Sequence, residues 1–211
     1  MYETEQEQIE AIKKWWNQYG NWIIGGFLIA LISYFSWNYY QSSTQSRLEG
    51  ASVKYDELLT LVDQGAPSSD RRALIDQLKS DYSRTTYAVY AALLGAADAV
   101  SEGNHETALA ELDWALSQAA DELRPVILVR KARVQYASDE LDAAMATLDQ
   151  ISRPGFDVVI YELRGDILTD QGQHDLARSA YETAMARSQE EGISTPFLEM
   201  KLNDLATASD S

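Results

Sequence analysis

The chain of 211 residues contains no cysteine, which excludes disulfides, thiol nucleophiles and zinc-thiolate sites. Its formal net charge of -16 at pH 7 argues against nucleic acid as a partner, because an acidic surface repels phosphate groups. The mean hydropathy is negative, so any membrane segment is confined to a short stretch.

An apolar stretch without charged side chains lies near the N-terminus, between Lys14 and Arg47. Its centre, from Trp22 to Tyr40, spans roughly 28 Å as a helix, close to the ~30 Å hydrocarbon core of a bilayer. Aromatic residues flank both ends, as expected at two headgroup levels. The pattern predicts a transmembrane helix over residues 21–41 in contact with the lipid bilayer, after a short N-terminal segment over residues 1–20.

Two other interpretations of this stretch fit less well. A cleaved signal peptide normally has a basic start and a small-residue cleavage site, whereas Met1 to Glu10 holds four Glu and no Lys or Arg. A buried core helix of a small domain rarely has aromatic residues at both ends. We therefore expect an anchor that stays in the mature protein.

The charges around the predicted span leave its orientation open. Lys13 and Lys14 on one side are matched by Arg47 and Lys54 on the other, and the adjacent lysine pair favours a cytoplasmic N-terminus only slightly. Within the span, Gly26, Ala30 and Ser33 are small residues on nearby faces, which predicts a contact with another membrane helix.

The remaining residues are rich in Ala, Leu, Glu, Asp and Gln, which predicts an all-α domain. A helix over about 45–64, which can continue from the membrane segment, is expected to end at Gly65-Ala66-Pro67-Ser68, and a second helix is expected over about 70–82. We assign residues 42–86 to a linker and capping helices. Thr195 to Ala206 predicts a final amphipathic helix, so residues 191–211 form a C-terminal cap and a frayed tail from Thr207.

A repeat register runs through residues 87–190, with unit spacings of 36 and 33 residues. Each unit has a small residue, a second small residue twelve positions later, and Leu or Tyr four further on. Turn residues follow the first small position in each unit. The register is Ala96, Ala108, Leu112; Ala132, Ala144, Leu148; and Gly165, Ala177, Tyr181.

This pattern resembles the tetratricopeptide repeat, in which small residues let two antiparallel helices pack closely. The fold class is therefore all-α: one N-terminal transmembrane helix followed by a tetratricopeptide-like helical-repeat (α-solenoid) domain. The family's first-helix Trp is replaced by Ala92, Leu128 and Tyr161, so the copies are degenerate.

The sequence contains no pattern that indicates catalysis. His105 and His174 are the only histidines, and both occupy equivalent turns of different units. No glycine-rich phosphate loop, nucleophile elbow or metal-ligand spacing is present. We expect a binding protein that is not an enzyme and uses no cofactor.

Repeats of this kind bind partners on the surface formed by their first helices. This face mixes apolar and acidic groups with one cation, Arg133, which favours extended segments of apolar or basic character. Leu93 and Val129 have the alternative of packing beneath neighbouring helices. The candidate residues are Tyr90, Leu93, Val129, Arg133, Tyr136, Glu162, Asp166 and Asp170.

Several strings resemble the ancillary SecYEG translocon subunit family, also called YfgM-like proteins, over nearly the whole length. They are Tyr2-Glu-Thr-Glu-Gln-Glu-Gln8, Leu128-Val-Arg-Lys-Ala-Arg-Val-Gln135, Leu163-Arg-Gly-Asp166, Gln171-Gly-Gln-His-Asp-Leu-Ala-Arg-Ser179 and Met200-Lys-Leu-Asn-Asp204. The resemblance implies a single-pass protein of the bacterial inner membrane with a cytoplasmic N-terminus and a periplasmic repeat domain.

The same resemblance implies association with the SecYEG translocon and the periplasmic chaperone PpiD, in assistance to nascent secretory proteins that emerge from the channel. A different role is also implied: a membrane-anchored negative regulator that sequesters a cytoplasmic stress-response regulator through the acidic N-terminus. The two roles differ in which side of the membrane carries the decisive contact.

Overall fold

The computed structural model describes residues 5–209, with side chains described for residues 8–10 and 12–205. Nine α-helices and no strand occupy this range. The helices are α1 (Glu5–Asp63), α2 (Ser68–Asp81), α3 (Thr86–Ser101), α4 (His105–Gln118), α5 (Arg124–Ala137), α6 (Leu141–Leu148), α7 (Asp157–Asp170), α8 (His174–Glu191) and α9 (Pro196–Ser209). The all-α fold class predicted from the sequence is confirmed.

The chain divides into two compact units between Gly50 and Ala51. Up to Gly50, α1 carries large apolar side chains that are exposed, including Trp22 at 81% and Trp37 at 71%. Among the described residues, α1 is the one helix long and apolar enough to cross a membrane, and it is a candidate span. The helix predicted over 45–64 continues from the membrane segment as the last part of α1, which ends just before the predicted break.

Three helix pairs make up the repeats: α3 with α4, α5 with α6, and α7 with α8. The turn inside each pair contains one residue in the left-handed region: Gly103 (φ 74°), Asp139 (φ 62°) and Gly172 (φ 71°). These residues are 36 and 33 positions apart, the same spacings as the small-residue register. The predicted turns are confirmed, and Asp139 fills the site because Asp tolerates this conformation better than most residues.

The register residues form the contact between the two helices of each pair. Ala108, Ala132, Ala144 and Ala177 are fully buried, and Leu112 and Leu148 are each 1% exposed. In the third pair Gly165 takes the place of alanine, where an added Cβ would lie 2.8 Å from Cζ of Tyr181 and closer still to other atoms of that ring. Glycine is required because the bulky Tyr181 ring occupies the space of a side chain.

The helices before the repeats cover one end of the domain. Arg71 of α2 donates from Nε to Oδ2 of Asp98 in α3 at 3.0 Å, and from Nη1 to the carbonyl of Ala66. Lys79 of α2 donates to both carboxylate oxygens of Glu111 in α4 at 2.7 Å. These partly buried ion pairs complement an apolar cluster that contains Ala51, Leu58, Ile75, Leu78, Ala88 and Ala91.

Helix α9 covers the other end by packing on α8. Leu198 and Leu205 are 1% and 3% exposed and lie in one apolar cluster with Ala177, Tyr181 and Ala184. The predicted final helix is confirmed, with Pro196 as its first residue, where a missing N–H costs nothing. The helix continues to Ser209 because no breaker follows Ala206, whereas a tail was expected from Thr207. Residues 210–211 of that tail lie outside the described residues.

Alanine substitutions at Gly165 and at Gly95, two glycines within helices, test the importance of the contact between Gly165 and Tyr181. Gly165→Ala gains about 1 kcal/mol of helix propensity but forces Tyr181 to move, which typically costs about 1–3 kcal/mol. We expect a lower free energy of unfolding, measured by urea denaturation of the full-length chain and followed by circular dichroism.

Gly95→Ala is the matched control, since an added Cβ there would lie 3.5 Å from its nearest neighbours, an ordinary contact distance. It should leave the free energy of unfolding unchanged or raise it by up to about 1 kcal/mol. Equal stabilisation by both substitutions would contradict the packing described for Gly165 and Tyr181.

Candidate protein-binding surface

The eight residues predicted to bind partners all lie on the first helices of the three pairs. Helix α3 carries Tyr90 and Leu93, and the other six lie on α5 and α7. The structure separates them into an apolar groove next to α3 and α5, a hydrogen-bonded network around α7, and Val129, which is 6% exposed and lines neither.

Two cavities of about 330 and 410 Å³ share Leu93, Ala97 and Arg130 and form one opening between α3 and α5. We call this opening the α3–α5 groove. Its walls are mainly apolar, and Leu93 lies in its floor with 8% exposure. The lining residues are Tyr55, Tyr90, Leu93, Leu94, Ala96, Ala97, Val100, Leu112, Leu123, Val126, Arg130, Arg133 and Val134.

The charge of the groove differs from that of the chain. None of the described side chains that line it carries a carboxylate, although the chain has a net charge of -16. Arg130 and Arg133 are exposed and lie three residues apart, so both project from the same face of α5. Among the described side chains neither arginine has an ion-pair partner.

The acidic residues predicted on α7 are engaged with other side chains. Lys201 of α9 donates to Oε1 of Glu162 at 2.8 Å and to Oδ2 of Asp166 at 2.9 Å. The Tyr181 hydroxyl donates to Oδ1 of Asp166 at 2.7 Å. These contacts, with the one described next, form the acidic network.

The network extends to the second repeat, where the Tyr136 hydroxyl donates to Oδ2 of Asp170 at 2.7 Å. Because three predicted carboxylates already have donors, they offer less attraction to a basic partner than the sequence suggested. The predicted preference for basic partner segments rested on those carboxylates. The charge that a partner should carry therefore depends on the side chains that line the groove.

Burial and hydrogen bonding shift the proton affinities of the network. Burial, together with the hydrogen bond to Asp170, raises the pKa of Tyr136 well above its usual range. Burial also raises the pKa of Tyr181, and the hydrogen bond to Asp166 adds to this effect. Burial lowers the pKa of Lys201, but the hydrogen bonds to Asp166 and Glu162 outweigh it and leave the pKa raised. All three groups keep their protons more strongly in the folded chain.

The two histidines begin α4 and α8, at the equivalent turns predicted from the repeats. Nδ1 of His105 lies 2.9 Å from the Ser138 hydroxyl in the turn of the next pair, so this histidine links two repeats. Within the described side chains, no group of three or more His, Cys, Asp or Glu is arranged to hold a metal ion.

The three small residues predicted to contact another membrane helix are exposed on α1. A Cβ added at Gly26 would meet no heavy atom within 4 Å, which leaves room for a second helix. The contact through Gly26, Ala30 and Ser33 stays a prediction.

Sequence reasoning missed several groove residues that helical spacing can reveal. Val100 lies seven residues after Leu93, and Arg130 lies three before Arg133, so each shares a face with a residue that was predicted. Tyr55 of α1 gives no such signal, because its ring reaches Tyr90 (centroids 6.1 Å apart) only through the tertiary packing.

Comparisons with known proteins agree with this architecture. A family model described as a tetratricopeptide repeat-like domain matches residues 13–207. The chain is 32% identical over 206 residues to the ancillary SecYEG translocon subunit of Haemophilus influenzae, covering 97% of this chain and 99% of the relative. The chain belongs to the ancillary SecYEG translocon subunit family.

Other members of the family match over a similar length. The subunit of Escherichia coli (strain K12) is 31% identical, with 98% of each chain covered. The subunit of Neisseria gonorrhoeae is 25% identical over 95% of this chain and 97% of the relative. No solved structure matches the chain. The family's shared length includes both α1 and the repeats.

The raised pKa values of the network predict how stability depends on pH. A group whose folded pKa lies above its unfolded value stabilises the fold below the unfolded pKa, and this contribution is lost as pH rises through the folded pKa. With unfolded values near 10 for tyrosine and lysine, the free energy of unfolding should fall above about pH 10. Urea denaturation of the full-length chain between pH 7 and 11 measures this.

The variant Tyr136→Phe/Tyr181→Phe removes two of the titrating groups and should be less stable at pH 7 by about 1 kcal/mol for each lost hydrogen bond. Its stability should then fall less steeply above about pH 10. Tyr82→Phe, outside the network, is the control. An unchanged pH dependence in the double variant would contradict the role given to these hydroxyls.

Proposed function

We propose that the chain is a membrane-anchored accessory subunit of the Sec translocon that acts by protein-protein binding. The observation that carries this proposal is the match to relatives named ancillary SecYEG translocon subunits over 97% of this chain and 99% of the relative. Because the match includes the candidate span as well as the repeats, the anchor belongs to the shared function.

The proposed location is the bacterial inner membrane, with the N-terminus in the cytoplasm and the repeat domain in the periplasm. Support comes from the family resemblance and from Lys13 and Lys14, which lie close to the cytoplasmic end that this orientation requires. The absence of cysteine is compatible with an oxidising compartment.

The absence of cysteine also allows a clean test of topology. A single cysteine at Gln8 should react with a membrane-impermeant maleimide only after the inner membrane is opened, whereas a cysteine at exposed Gln118 should react in intact spheroplasts. Labelling of the full-length chain is read by a gel shift. The opposite labelling pattern would place the repeat domain in the cytoplasm and contradict the periplasmic role.

Within this arrangement the domain works with the periplasmic chaperone PpiD, the partner that the family resemblance implies, on proteins that emerge from the channel. Tethering a binding surface in the membrane plane raises its effective concentration beside the translocon, even where each contact is weak. The α3–α5 groove provides an open and mainly apolar surface on the repeat domain.

Replacing the membrane span tests whether that helix only anchors the chain or also contacts the translocon. We expect a chain with residues 21–41 exchanged for an unrelated membrane helix to remain in the membrane but to lose most of the co-purified translocon, because Gly26 and Ala30 no longer allow close helix approach. Affinity purification with quantitative mass spectrometry measures translocon and chaperone recovery, and Ile29→Leu serves as a conservative control within the span.

The same purification distinguishes the accessory role from the second candidate role, which is sequestration of a cytoplasmic stress-response regulator. Recovery of a cytoplasmic regulator with neither translocon nor chaperone would favour sequestration by the acidic N-terminal segment. That role is supported by the four Glu within the first ten residues, of which Glu3 lies outside the described residues. Neutralising Glu3, Glu5 and Glu7 would then change stress signalling and leave secretion intact.

A further inference from the structure

Equivalent positions of the three repeats carry different chemistry on the inner face. The residue that directly follows the first small position is Ala97 in the first repeat, Arg133 in the second and Asp166 in the third. Three positions before the small residue, the repeats carry Leu93, Val129 and Glu162. The face therefore changes from apolar to cationic to acidic along the chain.

The third repeat already has its charge complement within the chain. Lys201 of α9 donates to Glu162 and Asp166, and its amine lies 5.7 Å from the centre of the Tyr181 ring. The equivalent of Asp166 in the second repeat, Arg133, is exposed and has no carboxylate partner among the described side chains. Arg130 is exposed and unpaired in the same way.

Several arginines of this part of the protein, namely Arg84, Arg124, Arg130, Arg133, Arg153 and Arg178, have no ion-pair partner among the described side chains, whereas other cations do. Arg71, Lys79, Lys131, Arg164 and Lys201 each form an ion pair with a carboxylate. Arg130 and Arg133 differ from the other unpaired arginines because they line cavities whose described lining includes no carboxylate, which makes a local reversal of charge in an acidic chain. This reversal lies along the apolar α3–α5 groove.

We infer that the α3–α5 groove binds a segment of a partner protein that carries apolar side chains together with carboxylates. The apolar walls remove the partner's side chains from water, and a guanidinium group pairs with a carboxylate through two parallel hydrogen bonds. The inference specifies the chemistry of the partner segment and rests on the proposed function of the chain as a binding subunit.

The apolar side chains and the arginines that would contact the partner are both exposed at the groove. Val100 and Val126 on its two sides are 42% and 38% exposed, so they are available to a partner without unfolding. Arg130 and Arg133 provide the charged edge, and arginine is better suited than lysine to bidentate recognition of carboxylates. A basic segment would meet two like charges here, which disfavours it.

In-cell photocrosslinking of the full-length chain tests the inference. A photoreactive amino acid at Val100 or Val126 reports groove occupancy, and mass spectrometry identifies the crosslinked segment and its sequence. We expect apolar segments that contain at least two Asp or Glu. In the variant Arg130→Glu/Arg133→Glu the adducts should fall by about tenfold or more, because like charges then face each other.

Arg178→Glu is the matched control, since Arg178 lies on α8 and outside the groove and has no ion-pair partner among the described side chains. It should leave the adducts unchanged. Replacing the acidic residues of the identified segment by Lys should restore adducts to the double variant. Circular dichroism of both variants checks that they remain folded.

Basic segments in the adducts, a second copy of this chain, adducts unaffected by Arg130→Glu/Arg133→Glu, or no adducts at either position would each overturn the inference. Co-purification of the translocon is measured in the same cells. If it persists while the groove fails the test, the proposed function stands and only the groove assignment is lost. If it is absent as well, the proposed function fails with it.

Discussion

The close approach of the two helices within each repeat is the constraint on which the rest of the domain depends. Ala96, Ala132 and Gly165 allow it, and Gly165 does so against the ring of Tyr181. With each pair held this closely, the second helices pack against the first, and the first helices of successive pairs line one face. The candidate binding surface is thus a consequence of where small residues recur.

On that face the carboxylates of the third repeat have a partner within the chain, whereas the arginines of the second repeat have none among the described side chains. Lys201 pairs with the carboxylates of the third repeat, so α9 acts both as a cap for the apolar core and as a neutralising partner. The first two repeats leave apolar side chains next to Arg130 and Arg133. Although the net charge of the chain is -16, this part of the surface is therefore positively charged.

Much of the fold follows from patterns that are local in the sequence. The register, the turns at Gly103, Asp139 and Gly172 and the helix stop before Pro67 depend on residues close in the chain, and all were predictable. The pairing of Arg71 with Asp98, the contact of Lys201 with Glu162 and the position of Tyr55 were not, because each joins residues far apart in sequence. The candidate binding residues lie on the first helices, as the repeat register predicts, and their role in binding stays a prediction. Only tertiary packing separates the groove from the network.

In the proposed function, an anchor that spans the membrane is joined to a repeat domain that binds beside the channel. Electron cryomicroscopy of the translocon purified through this chain tests that claim most directly. We expect one membrane helix next to the channel, the repeat domain on the periplasmic side and a segment of another protein in the α3–α5 groove. A repeat domain on the cytoplasmic side, or a translocon that lacks the chain, would contradict the account.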